Sequence, residues 1–314
     1  MYNAEKYIEA CLDSILNSDL PKEEYEVIII NDGSKDKGPE IAQGYCAKHG
    51  NFVYLTQENQ GQSVARNHGI KEAHGEYIWC VDSDDKLDRS LNPLIDLLKA
   101  LPDIDILAFQ LRQVTETNEF ISYECSQPTV LHNEMIKGRD AVLQGYFPSS
   151  VCALAIRKMM ITENGFSFKK GITQQDVELS YKLFSHANNV YFSELTPYIY
   201  IHHPYSTSKS TNSKKIAKYQ CDKVEIIKSF RLLASEFKTS DKELSEHIRN
   251  YADSALFGCV YNLYKKRKEW KKKGINKAVI AKLKANHYYP LQGPFRSWKK
   301  WLMSKILNVE SLIC

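Results

Sequence analysis

Three carboxylates fall within four residues in the segment DSDD at residues 82–85. Like charges this close repel one another, so they persist together most easily where a cation lies among them or water solvates them. Carboxylate oxygens suit hard cations such as Mg²⁺ and Mn²⁺, which take one or two protein carboxylates and complete their shell with water and phosphate oxygens. An isolated cluster of this kind is more often a solvated turn, with Asp85 or Asp88 near a helix N-terminus. Its position directly after the apolar run at 77–81 favours a metal site.

Two further polar clusters also follow short apolar runs. NDGS at residues 31–34 is good turn chemistry, and taken alone Asp32 is best interpreted as a turn former. The alternative is that Asp32 accepts hydrogen bonds from the base or ribose of a nucleotide. The second cluster, NQG at residues 59–61, precedes Arg66, which is either a surface charge or a side chain that faces the same crevice.

Alternating strands and helices predict how these clusters are brought together. Short apolar strands alternate with helices of about 11 residues, which predicts an α/β protein with a mainly parallel sheet flanked by helices. The predicted strands are 25–30, 52–56, 77–81 and 105–111, and the predicted helices are 4–17, 39–49, 63–73 and 90–100. Because ligands bind outside the carboxyl ends of such strands, we expect the three clusters at one edge of the sheet.

The remainder of the chain follows a different pattern. Residues 112–213 mix short apolar stretches with turns, as in an antiparallel or irregular extension, and residues 214–290 predict two or three helices joined near Gly274 and Pro290. Residues 214–314 carry 23 Lys and Arg against 9 Asp and Glu, so their net charge is +14, whereas residues 1–213 carry −10. Such asymmetry is typical of contact with a membrane surface or a nucleic acid.

Composition excludes several classes of protein. With 43% hydrophobic and 25% charged residues, the chain is neither disordered, collagen-like nor a coiled coil. No apolar run approaches the roughly 18 residues of a spanning helix, and the polar N-terminus is not a secretory signal. The eight cysteines form no CxxC or zinc-like spacing, which indicates reduced thiols in a cytoplasm.

Several ordered motifs together resemble the family 2 glycosyltransferases, which have the GT-A fold. They are Tyr2-Asn3 with YIEACLDSIL, VIIINDGSKD (27–36), ENQGQSVARNHGI (58–70) and YIWCVDSDD (77–85), with weaker matches at GITQQDVELSYKLF (171–184) and PYIYIHHPYSTS (197–208). The resemblance covers the first two-thirds of the chain. It implies a GT-A catalytic domain at 1–213, with a nucleotide-binding half at 1–111 and an acceptor half at 112–213, before a helical basic region at 214–314.

The resemblance implies a donor and metal site. Tyr2, Asp32 and Arg66 match the family's contacts to the nucleoside of a nucleotide-sugar donor. Asp82 matches the carboxylate nearest the ribose and the metal shell, and Asp84 matches the direct metal ligand of the DxD motif. A divalent cation, Mn²⁺ or Mg²⁺, would stabilise charge on the departing nucleoside diphosphate.

Asp176 matches the family's general base, which takes the proton from the attacking acceptor hydroxyl in an inverting transfer. Where the family has Glu-Asp, this chain has Gln175-Asp176. Asp176 is equally interpretable as an acid at a helix N-terminus, and both roles can hold together. His203 lies where the family often has a basic residue near the diphosphate. A histidine there is charged only in part near neutral pH, and a lone histidine is more often structural.

The start of the chain departs from the family pattern. Family members begin with an apolar strand that leads into the Tyr-Asn pair, and here that strand is absent. A sheet that lacks a central strand loses ladder hydrogen bonds and apolar cover. We therefore expect the chain as written to be poorly stable and weakly active, and an upstream extension to melt at a higher temperature.

The basic tail has two interpretations that the sequence leaves open. Near its end, apolar residues fall on one helical stripe beside Lys299, Lys300 and Lys305: Trp298, Trp301, Leu302, Ile306, Val309 and Ile313. Such a helix either lies on an anionic bilayer or turns its apolar side to a core. Nucleic-acid binding is disfavoured because no reader motif accompanies the charge.

Two hypotheses follow. The first is an inverting, metal-dependent glycosyltransferase with a nucleotide-sugar donor, expected to be a UDP-sugar, and a saccharide or lipid-linked saccharide acceptor. It would make bacterial surface polysaccharide in the cytoplasm, peripheral to the inner face of the membrane. The second is a truncated or non-catalytic relative that binds a nucleotide sugar or a partner without turnover. A dehydrogenase is disfavoured because no GxGxxG follows a strand, and a pyrophosphorylase because its glycine-rich N-terminal loop is absent.

Overall fold

A computed structural model of the protein describes residues 1–124, 133–146, 150–203, 212–293, 295 and 297–314. Residues 204–208 of the weaker motif match lie outside these ranges. The chain divides into two compact units: residues 1–171 with 175–204, and residues 172–174 with 205–314. No helix in the described part of the chain is long and apolar enough to cross a bilayer.

The first unit alternates strands and helices through its N-terminal part, as predicted. Its α-helices are α1 (Ile8–Leu16), α2 (Gly38–Lys48), α3 (Gln62–Glu72), α4 (Asn92–Ala100), α5 (Gly138–Leu143), α6 (Lys158–Glu163) and α7 (Gln175–His186). Its strands are β1 (Val27–Asn31), β2 (Phe52–Thr56), β3 (Tyr77–Trp79), β4 (Lys86–Leu87), β5 (Ile106–Ala108), β6 (Leu111–Thr115), β7 (Phe120–Glu124), β8 (Met135–Ile136), β9 (Leu154–Arg157), β10 (Val190–Phe192) and β11 (Tyr198–His202).

The α/β class is confirmed, but the strand pairing is mixed and not mainly parallel. β1 and β2 form a parallel pair, with Val27 opposite Phe52. Among the other strands that the structure describes, one sheet has the order β3-β9-β5-β10-β8 and another the order β4-β11-β6-β7. Only β5–β10 and β6–β11 are parallel within these two sheets. The prediction extended the parallel pattern of β1 and β2 to strands whose partners come from distant parts of the chain.

The single strand predicted at 105–111 is two strands that belong to different sheets. The backbone N–H of Phe109 donates to the carbonyl of Ala153 (3.0 Å), and the next N–H, of Gln110, donates to that of Leu195 (2.9 Å). Successive residues therefore pair with two different segments, and the chain changes sheet between them. The mostly apolar segment at 105–111 carries no local signal of this change, because the partners Ala153 and Leu195 lie more than 40 residues further along the chain.

The second unit is helical and discontinuous in sequence. Its helices are α8 (Ser213–Glu236), α9 (Lys242–Lys265), α10 (Arg267–Trp270), α11 (Ile275–Ala285), α12 (Trp298–Leu307) and α13 (Glu310–Ile313). The prediction of two or three helices for residues 214–290 was too low, because the short α10 interrupts the basic run before Gly274. Thr173, from the inserted segment, donates from its N–H (2.8 Å) and its hydroxyl (3.0 Å) to the carboxylate of Asp222 on α8.

Candidate active site

Asp32 joins the loops that follow β1 and β2. Its carboxylate is buried, and one oxygen, Oδ1, accepts hydrogen bonds from the Gln57 side chain (2.8 Å) and the Gln60 N–H (2.9 Å). The other oxygen, Oδ2, accepts one from the Gly61 N–H (2.8 Å). Three donors to one carboxylate fix both loops at the same edge of the β1–β2 pair. Asp32 thus holds the two loops together. Because a carboxylate can accept about four hydrogen bonds, Asp32 could accept one more in addition to these three.

Gly33 makes the approach of these two loops possible. Its φ of +73° lies in the left-handed region, and a Cβ there would lie 2.9 Å from the backbone nitrogen of Asn59. Any other side chain would therefore push the loops apart. Tyr2 lies beside this turn, because the N–H of Asp32 donates to the carbonyl of the preceding residue, Met1 (2.9 Å). The side chain of Tyr2 is exposed. The structure thus brings Tyr2 and Asp32 to one edge.

Two side chains of α3 converge on one oxygen of Asp82. Gln62 and Arg66 are four residues apart and so share a face of the helix. Gln62 Nε2 lies 3.0 Å and Arg66 Nη2 2.6 Å from Asp82 Oδ1. The Arg66 side chain is 11% exposed, and its guanidinium lies over the ring of Phe168. Burial alone would lower the pKa of Arg66, but attraction to Asp82 outweighs it and raises the pKa, so the ion pair persists.

The three carboxylates in the loop after β3 differ in how far they are exposed. Asp82 is 31% exposed in its side chain and Asp84 is exposed. Asp85 instead points inward, where it accepts hydrogen bonds from the Tyr198 hydroxyl (2.6 Å) and the Ile201 N–H (2.8 Å). Burial raises the pKa of Asp85 to about 7, in spite of these bonds. The interpretation of Asp85 as a residue at a helix N-terminus is therefore wrong, since it anchors the loop to β11.

Tyr198→Phe is expected to destabilise the first unit. The change removes the donor to the buried Asp85 and the acceptor of the Asp82 N–H (3.1 Å). A lost hydrogen bond to a buried charged group costs about 1.5–3 kcal/mol. The midpoint of urea unfolding should therefore fall, whereas the exposed Tyr123→Phe should leave it unchanged. Equal midpoints for the two variants would contradict the anchoring role.

His203 lies against the DxD loop with both ring nitrogens engaged. Nδ1 is 2.7 Å from a carboxylate oxygen of Glu116, and Nε2 is 3.2 Å from the backbone carbonyl of Asp84. Both partners are acceptors, so the ring satisfies them fully only when it carries two protons. Burial lowers the pKa of His203, but these two bonds outweigh it and raise the pKa. The imidazolium form is thus favoured next to Asp84.

Asp176 lies in the first turn of α7 and is partly buried. Its Oδ1 accepts a hydrogen bond from the adjacent Val177 N–H (3.1 Å), as an acid at a helix start does. Burial raises the pKa of Asp176, and the nearby charge of Arg66 opposes that shift. A carboxylate with a raised pKa is a stronger base than a solvated one.

Gln175 connects α7 to Asp82 through Gln62. Gln175 Nε2 is 2.8 Å from Gln62 Oε1, and the other end of Gln62 donates to Asp82. A carboxylate can only accept, so Gln62 must turn its amide nitrogen to Asp82 and its carbonyl to Gln175, which must then donate. A glutamate at position 175 would place an acceptor against an acceptor. The amide in place of the family's acid is therefore matched to Gln62.

Gln175→Glu is expected to cost about 1–3 kcal/mol of unfolding free energy, because it leaves the carbonyl of Gln62 facing a carboxylate. The penalty should largely disappear when the change is made in a Gln62→Ala background, which a double-mutant cycle of thermal or urea unfolding measures. Equal penalties in both backgrounds would show that the two side chains are not coupled.

The donor set fits a divalent cation bound together with a diphosphate. Partial desolvation, followed by the charge on Asp82, raises the pKa of Asp84, and the charge of His203 opposes that shift. The Asp84 carboxylate makes no hydrogen bond to another side chain of the described residues, and Oδ2 of Asp82 is similarly unengaged. No group of three potential metal-ligating side chains occurs in the described ranges. One or two carboxylates suffice where phosphate and water complete the shell.

Sequence reasoning missed three residues of this site: Gln62, Glu116 and Tyr198. Gln62 had a usable signal, since it lies four residues before Arg66 on the same predicted helix. Glu116 and Tyr198 had none, because their contacts join segments 80 or more residues apart.

Comparison with known proteins identifies relatives of this chain. The Glycosyl transferase family 2 model matches residues 1–163. The uncharacterized glycosyltransferase YibD of Escherichia coli is 27% identical over 265 residues, which cover 82% of this chain and 71% of YibD. The poly(ribitol-phosphate) beta-N-acetylglucosaminyltransferase TarS of Staphylococcus aureus is 29% identical over 170 residues, 48% of this chain and 29% of TarS. The chain spans 25% of the length of the Bacillus subtilis glycosyltransferase EpsH, at 44% identity over 88 residues.

Solved structures share the fold. The crystal structure of TarS 1–349 in complex with UDP-GlcNAc matches with a TM-score of 0.60 and 21% identity, over 90% of this chain and 77% of that one. The mannosyltransferase PcManGT from Pyrobaculum calidifontis, in complex with GDP-Man and Mn²⁺, matches with a TM-score of 0.51 and 16% identity, over 98% of this chain and 85% of that one. Because the family model covers more than half of its length, the chain belongs to glycosyl transferase family 2, with the GT-A fold.

Proposed function

We propose that the protein is an inverting, metal-dependent glycosyltransferase that transfers a sugar from a UDP-sugar to an acceptor hydroxyl. The observation that carries this proposal is the setting of Asp82. Arg66 and Gln62 hold one of its oxygens, Asp84 is exposed two residues further on, and Gln62 also contacts the residue before Asp176. Donor-side carboxylates and a separate candidate base are thereby linked within one unit.

Tyr2, Asp32 and Arg66 would bind the nucleoside of the donor. Tyr2 is exposed and can lie against a base, and Asp32 Oδ2 accepts a single hydrogen bond within the described residues. Arg66 would act through its ion pair with Asp82, which leaves the second oxygen of Asp82 for the metal site. In support, the structural relative TarS is crystallised with UDP-GlcNAc.

Asp84 and the free oxygen of Asp82 would hold Mn²⁺ or Mg²⁺. The cation, when bound, supplies positive charge that stabilises the departing nucleoside diphosphate. His203, held between Glu116 and the Asp84 carbonyl, would add its charge on the diphosphate side. The Mn²⁺ in the PcManGT complex is consistent with this assignment.

Asp176 would serve as the general base. The acceptor oxygen forms a bond to the anomeric carbon while the bond from that carbon to the diphosphate oxygen breaks. The hydroxyl proton passes to Asp176, and the nucleoside diphosphate leaves with the electron pair. Attack from the side opposite the leaving group inverts the anomeric configuration.

The acceptor is proposed to be a saccharide or a lipid-linked saccharide of a bacterial surface polymer. The relative TarS is a poly(ribitol-phosphate) beta-N-acetylglucosaminyltransferase, and by analogy a surface polymer is the acceptor that suits this chain. The enzyme would then work in the cytoplasm, peripheral to the inner face of the membrane.

The test is transfer and donor hydrolysis in the presence of Mn²⁺, measured across a panel of UDP-, GDP- and dTDP-sugars. Release of UDP from one donor, abolished by EDTA and restored by Mn²⁺, is the expected result. Binding of a nucleotide sugar by calorimetry with no turnover on any saccharide or lipid-linked acceptor would instead favour the non-catalytic alternative. Absence of both binding and turnover would reject the proposal.

A further inference from the structure

An exposed apolar surface lies on the last helices of the second unit. Along α12, Trp298 is 70%, Trp301 52% and Leu302 50% exposed. Further exposed apolar side chains follow along the chain: Ile306 near the end of α12, Val309 between the two helices and Leu312 on α13. We call these six residues the tryptophan face. Large apolar side chains rarely lie together on a protein surface without a partner.

The opposite side of these helices is fixed to the second unit. Leu307 and Ile313 are fully buried. The Tyr289 hydroxyl donates to the carbonyl of Leu307 (2.9 Å), and the Asn276 side chain donates to that of Ile313 (2.7 Å). The core-facing interpretation of the stripe is therefore wrong for all its predicted members except Ile313. The tryptophan face is outside because the other face already packs inside.

Lysines border the tryptophan face. The amine of Lys299 lies 5.9 Å from the centre of the Trp298 ring, and that of Lys305 lies 5.3 Å from the Trp301 ring. Residues 297–309 contain no acid, and the next one, Glu310, is paired with Lys284 at 2.5 Å. Among the described residues, neither Lys299 nor Lys305 has an ion-pair partner, so positive charge borders an apolar surface that contains two tryptophans.

We propose that the tryptophan face binds the surface of an anionic lipid bilayer. Tryptophan rings suit the boundary between headgroups and acyl chains, and lysines beside them meet anionic headgroups. This deepens the part of the proposed function that places the enzyme at a membrane, but it rests on the surface itself and not on catalysis.

A second copy of the chain fits this surface less well. In a twofold dimer the same patch faces itself, so Lys299 and Lys305 would approach their own copies without an intervening acid. A bilayer supplies the complementary charge, and its fluid surface needs no matching shape. The charge pattern therefore selects lipid over self-association.

The test is co-sedimentation of the full chain with vesicles of phosphatidylglycerol and phosphatidylcholine, without nucleotide sugar. The protein should bind these vesicles, bind phosphatidylcholine alone much less, and dissociate in 0.5 M salt. The double variant Trp298→Ala/Trp301→Ala should lower the partition coefficient more than tenfold, and Lys299→Glu/Lys305→Glu should lower it by at least fivefold per lysine at low salt.

Leu232→Ala is the matched control, because Leu232 is also in the second unit and is 59% exposed on α8. It should bind vesicles as the unchanged protein does. Failure of the unchanged protein to bind, or equal binding by the tryptophan double variant, would overturn the proposal. So would a dimer in vesicle-free sedimentation that the tryptophan variant abolishes, since the face would then belong to a second copy. None of these readouts depends on turnover, so they are separate from the test of the glycosyltransferase activity.

Discussion

Replacement of Asp84 by alanine is expected to lower turnover at least a hundredfold and to weaken donor binding in Mn²⁺. Asp84 is the exposed carboxylate of the DxD loop, and charge stabilisation of a leaving diphosphate by a bound cation is worth several kcal/mol. Titration of UDP into the variant, with and without Mn²⁺, should show that the metal-dependent gain in affinity is lost. Single-turnover assays at saturating donor would then report the remaining loss in the chemical step.

The control for Asp84→Ala is Asp96→Ala, which removes another exposed carboxylate of the first unit, on α4. It changes the net charge equally and should leave both affinity and turnover unaltered. If Asp84→Ala kept its metal-dependent affinity for UDP, the assignment of Asp84 as the ligand would be wrong, and Asp82 alone would remain as the candidate.

Asp176→Asn is expected to separate chemistry from binding. Loss of a general base typically lowers the rate by about 10²–10⁴-fold. The amide has nearly the same shape, and the hydrogen bond from the Val177 N–H can still end on its oxygen, so the fold and the affinity for UDP with Mn²⁺ should stay within about twofold. Rapid-quench measurement of sugar transfer, beside calorimetry of donor binding, checks both.

The pH profile offers a second check on the base. Burial raises the pKa of Asp176, and the base is active only when deprotonated. The rate should therefore fall as the pH drops through a pKa above the ordinary aspartate value of about 3.9, and this acid limb should vanish from the residual rate of Asp176→Asn. A loss of donor affinity as large as that of Asp84→Ala would instead place Asp176 on the donor side of the site.

Local patterns predicted the N-terminal part of the fold well. The spacing of Ile8, Cys11, Leu12, Ile15 and Leu16 indicated a helix with one apolar face. The first four side chains are buried, and Leu16 is half-buried. The strand and helix bounds of β1, β2 and α3 agree with the prediction to within two residues. Each of these elements is specified by its own apolar period, so no distant partner is needed to recognise it.

Contacts between distant segments could not be predicted in the same way. The break after Ala108 depends on carbonyls of Ala153 and Leu195, and the inward turn of Asp85 depends on Tyr198. The residues next to Ala108 or Asp85 in the sequence give no indication of these distant partners. Among the acids of DSDD, composition alone treats all three as equivalent ligands, whereas the packing of β11 removes one of them from the crevice.

The hydrogen bonds that link Gln175 to Asp82 through Gln62 could not be predicted from the sequence either. The sequence showed that an amide replaces an acid before Asp176, which by itself favours a loss of function. The structure gives this amide a partner whose orientation demands a donor. Glutamine at position 175, which by itself suggests a loss of function, is thus explained by its hydrogen bond to Gln62.

The discontinuous second unit has a consequence for exchange of modules between relatives. Ile172–Gln174 belongs to that unit, and Thr173 donates hydrogen bonds to Asp222. Gln175, the residue that follows this segment, begins α7, the helix that carries Asp176. A hybrid enzyme that joins this chain at residue 204 to another protein's C-terminal part would discard Asp222 and leave Thr173 without its acceptor. The second unit should therefore be exchanged as residues 205–314 together with residues 172–174, and not as the contiguous C-terminal residues alone. Designed chimaeras should transfer the Thr173–Asp222 pair as a unit.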